Sequence, residues 1–189
     1  MLIRTIVVIG ATVTGCAFAK AAALAGYETV LEDVSREMRD RGLSSIAESL
    51  GAAVQRGEFS KNESADAFAR IISSSTVEAA IRDADLIIEA VPEELEMKLE
   101  LFTVFDKFAK PGAIFASTAA TLSVLDISDV TICRERCIGM RFREVGNGWN
   151  VLELVRTALT SEDTFNTCRD VARRLAKDVR VVPDAPSAS

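Results

Sequence analysis

The segment that most restricts the fold is "TIVVIGATVTGCAFAKAAALAG" (5–26). A β-branched apolar run ends at Gly10, and an alanine-rich run of helical character follows the loop. A dinucleotide-binding chain places G-x-G-x-x-G at such a strand–loop–helix. The candidate loop comprises Gly10, Ala11, Thr12, Val13 and Gly15. In a loop of this kind the first glycine makes the tight turn. The second lets the backbone approach a pyrophosphate, and the third lets the helix pack on the strand. Gly10 and Gly15 keep the first and third roles, and Thr12 occupies the second. Its side chain either holds a phosphate away or adds a hydroxyl hydrogen bond, and the sequence does not choose between them. The helix start still offers N–H groups and a positive dipole end to an anion. The next apolar run, "YETVLED", ends in Asp33, 23 positions after Gly10. That spacing suits a carboxylate on an adenosine ribose 2′-hydroxyl, and an acid there disfavours a 2′-phosphate. The cofactor implied is NAD.

Short apolar runs and helical patterns continue to alternate. The spacing predicts further strands at 71–75, 85–91, 113–118, 137–142, 151–156 and 179–183. It predicts helices at 14–25, from Ser35 to about Arg56, across "SADAFARI" and "TVEAAIRDA", at 93–109 and from Ser161 to about Lys177, with a helical turn in "LSVLDIS". Pro111-Gly112 ends the fifth helix. Such alternation predicts an α/β, Rossmann-like, doubly wound and mostly parallel sheet with helices on both faces. Residues 1–189 read as a single dinucleotide-binding domain without repeat or linker, its binding loops at the C-terminal ends of the strands.

The net charge of −6 argues against a broad nucleic-acid surface. No apolar run approaches the ~20 residues of a membrane span. The opening "MLIRTIVVIGA" reads as a first strand and not as a targeting segment. Cys16, Cys133, Cys137 and Cys168 form no C-x-x-C pair and read as reduced thiols, which points to a cytoplasmic protein without a metal. Cys16 falls in a helix's first turn, where a thiolate is favoured, but a small apolar filler is the commoner role. The chain has no histidine. Any proton transfer near neutral pH therefore falls to a carboxylate, lysine, tyrosine or cysteine.

Several segments carry a resemblance. "GYETVLEDVS" and "ADLIIEAVPEELEMKLELF" follow the N-terminal domain of the L-3-hydroxyacyl-CoA dehydrogenase family of fatty acid metabolism, the second through its I-E-A-V-x-E-x-x-x-x-K-x-x-L-F pattern. "PGAIFASTAATLSV", "IGMRFREVGNGWNVLELV" and "VVPDAPSAS" resemble later segments of that domain with losses. The resemblance runs from about Arg4 to Pro186. It places Asp33 on the adenosine ribose, and Glu93 and Lys98 near the nicotinamide half. It places Ser49 and Arg56 on coenzyme A contacts, although a solvated hydroxyl and charge on a helix is the plainer reading of those two. The family's catalytic His–Glu pair falls on Arg141 and Glu153, its substrate-binding serine on Ala120, and its following Asn-Pro on Glu144-Val145. A guanidinium stays protonated and cannot act as a base. Arg141 and Glu153 read instead as an ion pair.

Members of the family continue into a helical C-terminal domain, and this chain stops at Ser189. The uncovered face is expected to be polar or covered by a second copy or a partner chain. Trp149 and Phe142 are candidates for that contact, with core packing the commoner role for Phe142. Three functional readings stand. One is an NAD(H)-binding relative, silent or strongly impaired in catalysis. Another is an active NAD-dependent oxidoreductase on a hydroxyacyl-type substrate, with Glu144 or Glu153 accepting the proton. The third is a non-enzymatic binding or assembly module without cofactor. The β-hydroxyacid dehydrogenases share the loop and fold but fit residues 85–103 poorly.

Overall fold

A computed structural model describes residues 2–144 and 149–185, except for the side chains of Glu144, Trp149 and Asn150. The readings placed on Glu144, Val145 and Trp149 therefore lie outside the described side chains.

Eight strands form one sheet: β1 (Thr5–Ile9), β2 (Glu28–Glu32), β3 (Ile71–Ser74), β4 (Leu86–Glu89), β5 (Ile114–Ser117), β6 (Cys137–Glu144), β7 (Trp149–Val155) and β8 (Asp178–Val182). Their spatial order is β3-β2-β1-β4-β5-β6-β7-β8. Every neighbouring pair is parallel except β6–β7. The order reverses direction between β1 and β4, and the crevice at such a switch point is where doubly wound sheets bind ligands. The helices are α1 (Val13–Leu24), α2 (Arg36–Gln55), α3 (Lys61–Ala69), α4 (Val77–Ile81), α5 (Leu95–Phe108), α6 (Val124–Ser128) and α7 (Glu162–Leu175). No helix among the described residues is long and apolar enough to cross a membrane.

The expected fold is borne out, with strand ends shifted by one or two residues. Side chains alternate along a strand, so the central strands β1, β2, β4 and β5 feed two cores. One core joins Ile6, Val8, Leu31 and Ile88 to Phe18, Ile46 and Val171 under α1, α2 and α7. The other joins Val7, Ile9, Val30 and Ile87 to Phe102 and Phe105 beneath α4, α5 and α6. Phe142 belongs to the first core: it is 6 % exposed, and its ring centroid lies 4.4 Å from that of Phe18. Its packing as core is thereby the outcome, and it marks no contact surface.

Helix starts follow local chemistry. Ser35, Ser60, Thr76, Ser123 and Ser161 each accept an amide hydrogen bond at the first turn. The start of α6 is further held by Asp184, whose carboxylate accepts from the amides of Val124 and Leu125 at 2.9 Å each. That contact fastens the segment after β8 to the loop after β5.

Candidate functional site

The loop between β1 and α1 is shaped by its two glycines. Gly10 has φ 106°, and a Cβ there would lie 2.7 Å from the Ala90 carbonyl oxygen. A Cβ on Gly15 would lie 1.9 Å from the carbonyl oxygen of Gly10. Neither position accepts a side chain, so the turn stays tight and α1 stays against the sheet. Thr12 resolves the question left by the sequence. Its hydroxyl donates to the Ala90 carbonyl at 2.8 Å and accepts from the Gly15 amide at 3.1 Å. The threonine caps α1 and pins the loop to the end of β4, so its oxygen is used within the protein. The Val13 and Thr14 amides of the first turn have no acceptor in their own helix and stand where an anion would sit.

Asp33 closes the other side. One carboxylate oxygen accepts from the Ala11 amide at 3.0 Å and the other from the Ser35 amide at 2.9 Å. The Gly10 amide donates to the Glu32 carbonyl at 2.7 Å. The end of β2 thus props up the loop, and Asp33 keeps lone pairs for a ribose hydroxyl. Cys16 lies beside it, its thiol pKa raised by burial and by the charge of Asp33. Its Sγ also donates to the Ala11 carbonyl at 3.6 Å, and both observations favour the filler over the thiolate. Gly10, the first-turn amides and Asp33 fit the pyrophosphate and adenosine of a dinucleotide.

Beyond the loop, α1 and α2 flank a cleft of about 320 Å³ lined by Thr12, Lys20, Arg41 and Ser49, among others. Ser49 accepts from Lys20 Nζ at 2.7 Å. Burial, then Arg56, lowers the Lys20 pKa, against Glu58. Arg56 lies on the surface, its Nε 2.6 Å from Glu58. Sequence reading named Ser49 and Arg56 but missed Lys20, a lysine in an otherwise apolar helix.

The second half of the site is a polar network at the ends of β4 and β5. Lys98 has no exposed surface. Its ammonium donates to Glu89 at 2.7 Å and to the Val91 carbonyl at 3.3 Å, and lies 3.6 Å from Glu93. Glu89 also accepts from the Val91 amide at 2.9 Å and from Ser117 Oγ at 2.6 Å. Ser117 in turn accepts from the Ala119 amide. Glu93 accepts from the amides of Ala120, Thr121 and Leu122 and from the Thr121 hydroxyl. Burial pushes its pKa up, but those amides and Lys98 outweigh this and hold it below the ordinary value. Lys98 therefore lies behind the cleft, bonded to Glu89 and Val91, while Glu93 reaches the rim. Glu89 and Ser117 were not singled out from the sequence. An acid inside "DLIIEAV", nine positions before a lysine, was the available signal.

The expected Arg141–Glu153 pairing is present, but with a different emphasis. Arg141 Nε lies 3.5 Å from Glu153 Oε2, beyond good hydrogen-bond geometry. Its Nη1 instead donates to the carbonyls of Ala119 at 3.3 Å and Ala120 at 2.9 Å. The nearer partner of Glu153 is Arg143, at 3.1 Å. Strand alternation puts residues 141 and 143 on one face of β6, and Glu153 stands opposite Arg141 on β7. Arg180 stands opposite Glu153 on β8. Among the described residues this face of β6, β7 and β8 is charged, and the sequence holds no histidine to act as base.

Comparison with known proteins accords with this geometry. Residues 5–185 match the family model for the NAD binding domain of 3-hydroxyacyl-CoA dehydrogenase. The chain is 32 % identical over 186 residues to a probable 3-hydroxybutyryl-CoA dehydrogenase of Bacillus subtilis, covering 98 % of this chain and 64 % of that one. It is 30 % identical over 192 residues to the mitochondrial hydroxyacyl-coenzyme A dehydrogenase of Rattus norvegicus, covering 98 % and 61 %. The crystal structure of (S)-3-hydroxybutyryl-CoA dehydrogenase from Ralstonia eutropha superposes with a TM-score of 0.92 at 27 % identity, covering 98 % of this chain and 65 % of that one. The chain thus spans less than two thirds of the length of these relatives. With the cradle at Gly10, the acid at the end of β2 and a family match across nearly all of its length, this chain belongs to the NAD-binding domain family of the 3-hydroxyacyl-CoA dehydrogenases.

Proposed function

We propose that the chain binds NAD(H) between the loop at Gly10, Asp33 and the ends of β4 and β5, and that it does not carry out histidine-dependent oxidation of 3-hydroxyacyl-CoA. When bound, NAD supplies the hydride chemistry, and the chain must supply the proton acceptor. The observation that carries the reading is Arg141. Its guanidinium is held on the Ala119 and Ala120 carbonyls, and it cannot accept a proton. Glu153, the remaining member of the pair, is engaged by Arg143.

Two measurements test this. Calorimetric titration with NADH is expected to give micromolar binding, and no heat at millimolar NADH would overturn the cofactor half. Oxidation of (S)-3-hydroxybutyryl-CoA with NAD is expected to stay far below the ~1 s⁻¹ at which ordinary enzyme rates begin. Turnover at or above that rate would overturn the other half. If Glu153 or Glu144 were acting as base, turnover would disappear in Glu153→Gln or Glu144→Gln.

A further inference from the structure

Among the described side chains, the face of β6, β7 and β8 beyond α6 carries more positive than negative charge, and the excess has a definite place. Arg180 is paired on its own strand: its Nε lies 2.9 Å from Asp178. Those two charges cancel. Arg141 and Arg143 share the single carboxylate Glu153, both through Oε2. Among the described residues, this group of three therefore keeps one positive charge in excess; Glu93, across the Ala119–Ala120 loop, is already held by Lys98 and by the amides of Ala120, Thr121 and Leu122. The excess charge is not fully solvated, because the side chains of Arg141 and Glu153 are 11 % and 13 % exposed. Holding an uncompensated charge in a half-closed place is costly, and an anion that enters offsets the cost. Arg141 Nε is a buried donor without a hydrogen-bond acceptor. Arg143 is 57 % exposed, so its fork reaches the opening from outside. The guanidinium of Arg141 touches the loop at Ala119 and Ala120, which Glu93 holds from the cofactor side. The excess charge thus lies beside the end of the crevice, where a small molecule would meet a bound dinucleotide.

We infer that Arg141 and Arg143, with Glu153 as their shared counter-ion, form a site for the carboxylate of a small monovalent organic acid. This rests on the proposed NAD(H) reading for its setting, but not for its charge balance. Arginine is suited to the task because its planar fork matches a carboxylate in two parallel hydrogen bonds. One negative charge neutralises the group. A neutral thioester carbonyl leaves the charge uncompensated, so the site prefers a free acid to the acyl end of a thioester.

The probe is acetoacetate, titrated calorimetrically into the whole chain at constant ionic strength, with and without saturating NADH. Saturable millimolar binding is expected, weakened at least tenfold in Arg143→Gln and by less in Arg143→Lys, which keeps the charge but loses the fork. Arg143 is exposed enough for both variants to fold, and unchanged thermal unfolding checks this. Binding no stronger than that of an equal concentration of chloride, or binding equal in the wild type and Arg143→Gln, overturns the inference. The two proposals fail separately. NADH binding without acetoacetate binding removes only this one, and acetoacetate binding without NADH binding removes only the cofactor reading.

Discussion

Lys98 and Glu89 form an ion pair in which neither side chain has any exposed surface, with Nζ 2.7 Å from Oε1. Through it the ends of β4 and β5 become one unit, because Glu89 also takes the Val91 amide and the Ser117 hydroxyl. Breaking a buried pair by removing one partner leaves the other charge stranded, at a cost of about 3–5 kcal/mol. Lys98→Met is therefore expected to lower the unfolding free energy by about that amount in urea titration. The double variant Lys98→Met/Glu89→Leu should recover most of the loss. A single variant as stable as the wild type would mean that the ammonium contributes nothing net.

Thr12 replaces a glycine by spending its hydroxyl inside the protein. Thr12→Val keeps the β-branched shape and removes the acceptor of the Gly15 amide and the donor to the Ala90 carbonyl. Loss of an N-cap oxygen costs ~1 kcal/mol. Urea midpoints should show a loss of about 1–2 kcal/mol, the larger figure if the stranded Ala90 carbonyl adds to it. NADH affinity should change far less than stability, because this oxygen faces the protein and not a phosphate. A large loss of affinity with unchanged stability would reverse that assignment.

Glu32 should make stability depend on pH near neutrality. It is 1 % exposed, and neither carboxylate oxygen has a hydrogen-bond partner. Burial, then the charges of Asp33 and Glu78 against Arg39, raises its pKa from 4.5 to about 7. The folded state thus holds the proton more tightly than the unfolded chain. The sign follows from linkage: the contribution is fully present below about 4.5, falls as pH rises, and is gone above about 7. The span amounts to on the order of 3 kcal/mol. Glu32→Gln mimics the protonated form, so its thermal midpoint at pH 8 should exceed that of the wild type, and the two should converge near pH 5. Parallel curves across that range would show that Glu32 does not titrate there.

The sequence displayed the fold because its cues are local: strand and helix periods, serine caps, and glycines at positions that exclude a Cβ. Gly10, Gly15 and Asp33 were legible for the same reason, since spacing along one strand–loop–helix–strand unit fixes them in space. The inward turn of Lys98 was not, because a lysine on a helix is ordinarily solvated, and only the meeting of α5 with the end of β4 buries it. The role of Arg143 was hidden likewise. It depends on the antiparallel register of β6 on β7, which places residue 153 opposite 141 and within reach of 143.

That register also predicts what restoring the family's base would achieve. In Arg141→His the introduced imidazole would need Glu153 to orient it and to stabilise its charged form. Arg143 Nε, 3.1 Å from Glu153 Oε2, competes for that same oxygen. A second cation beside an imidazole also disfavours its protonated form. In the reduction the imidazolium would give its proton to the carbonyl oxygen as hydride arrives, and oriented general acid–base catalysis contributes ~10²–10⁴-fold in rate. Arg141→His alone is therefore expected to show little NADH-dependent reduction of acetoacetyl-CoA, followed by loss of NADH absorbance. Arg141→His/Arg143→Phe should exceed it by at least ~10-fold, a part of the ~10²-fold or more that a fully oriented acid–base group supplies. Equal rates in the two variants would show that Arg143 does not sequester Glu153. High activity in the single variant would mean that the loop at Ala119 and Ala120 keeps its shape without the guanidinium of Arg141 on its carbonyls.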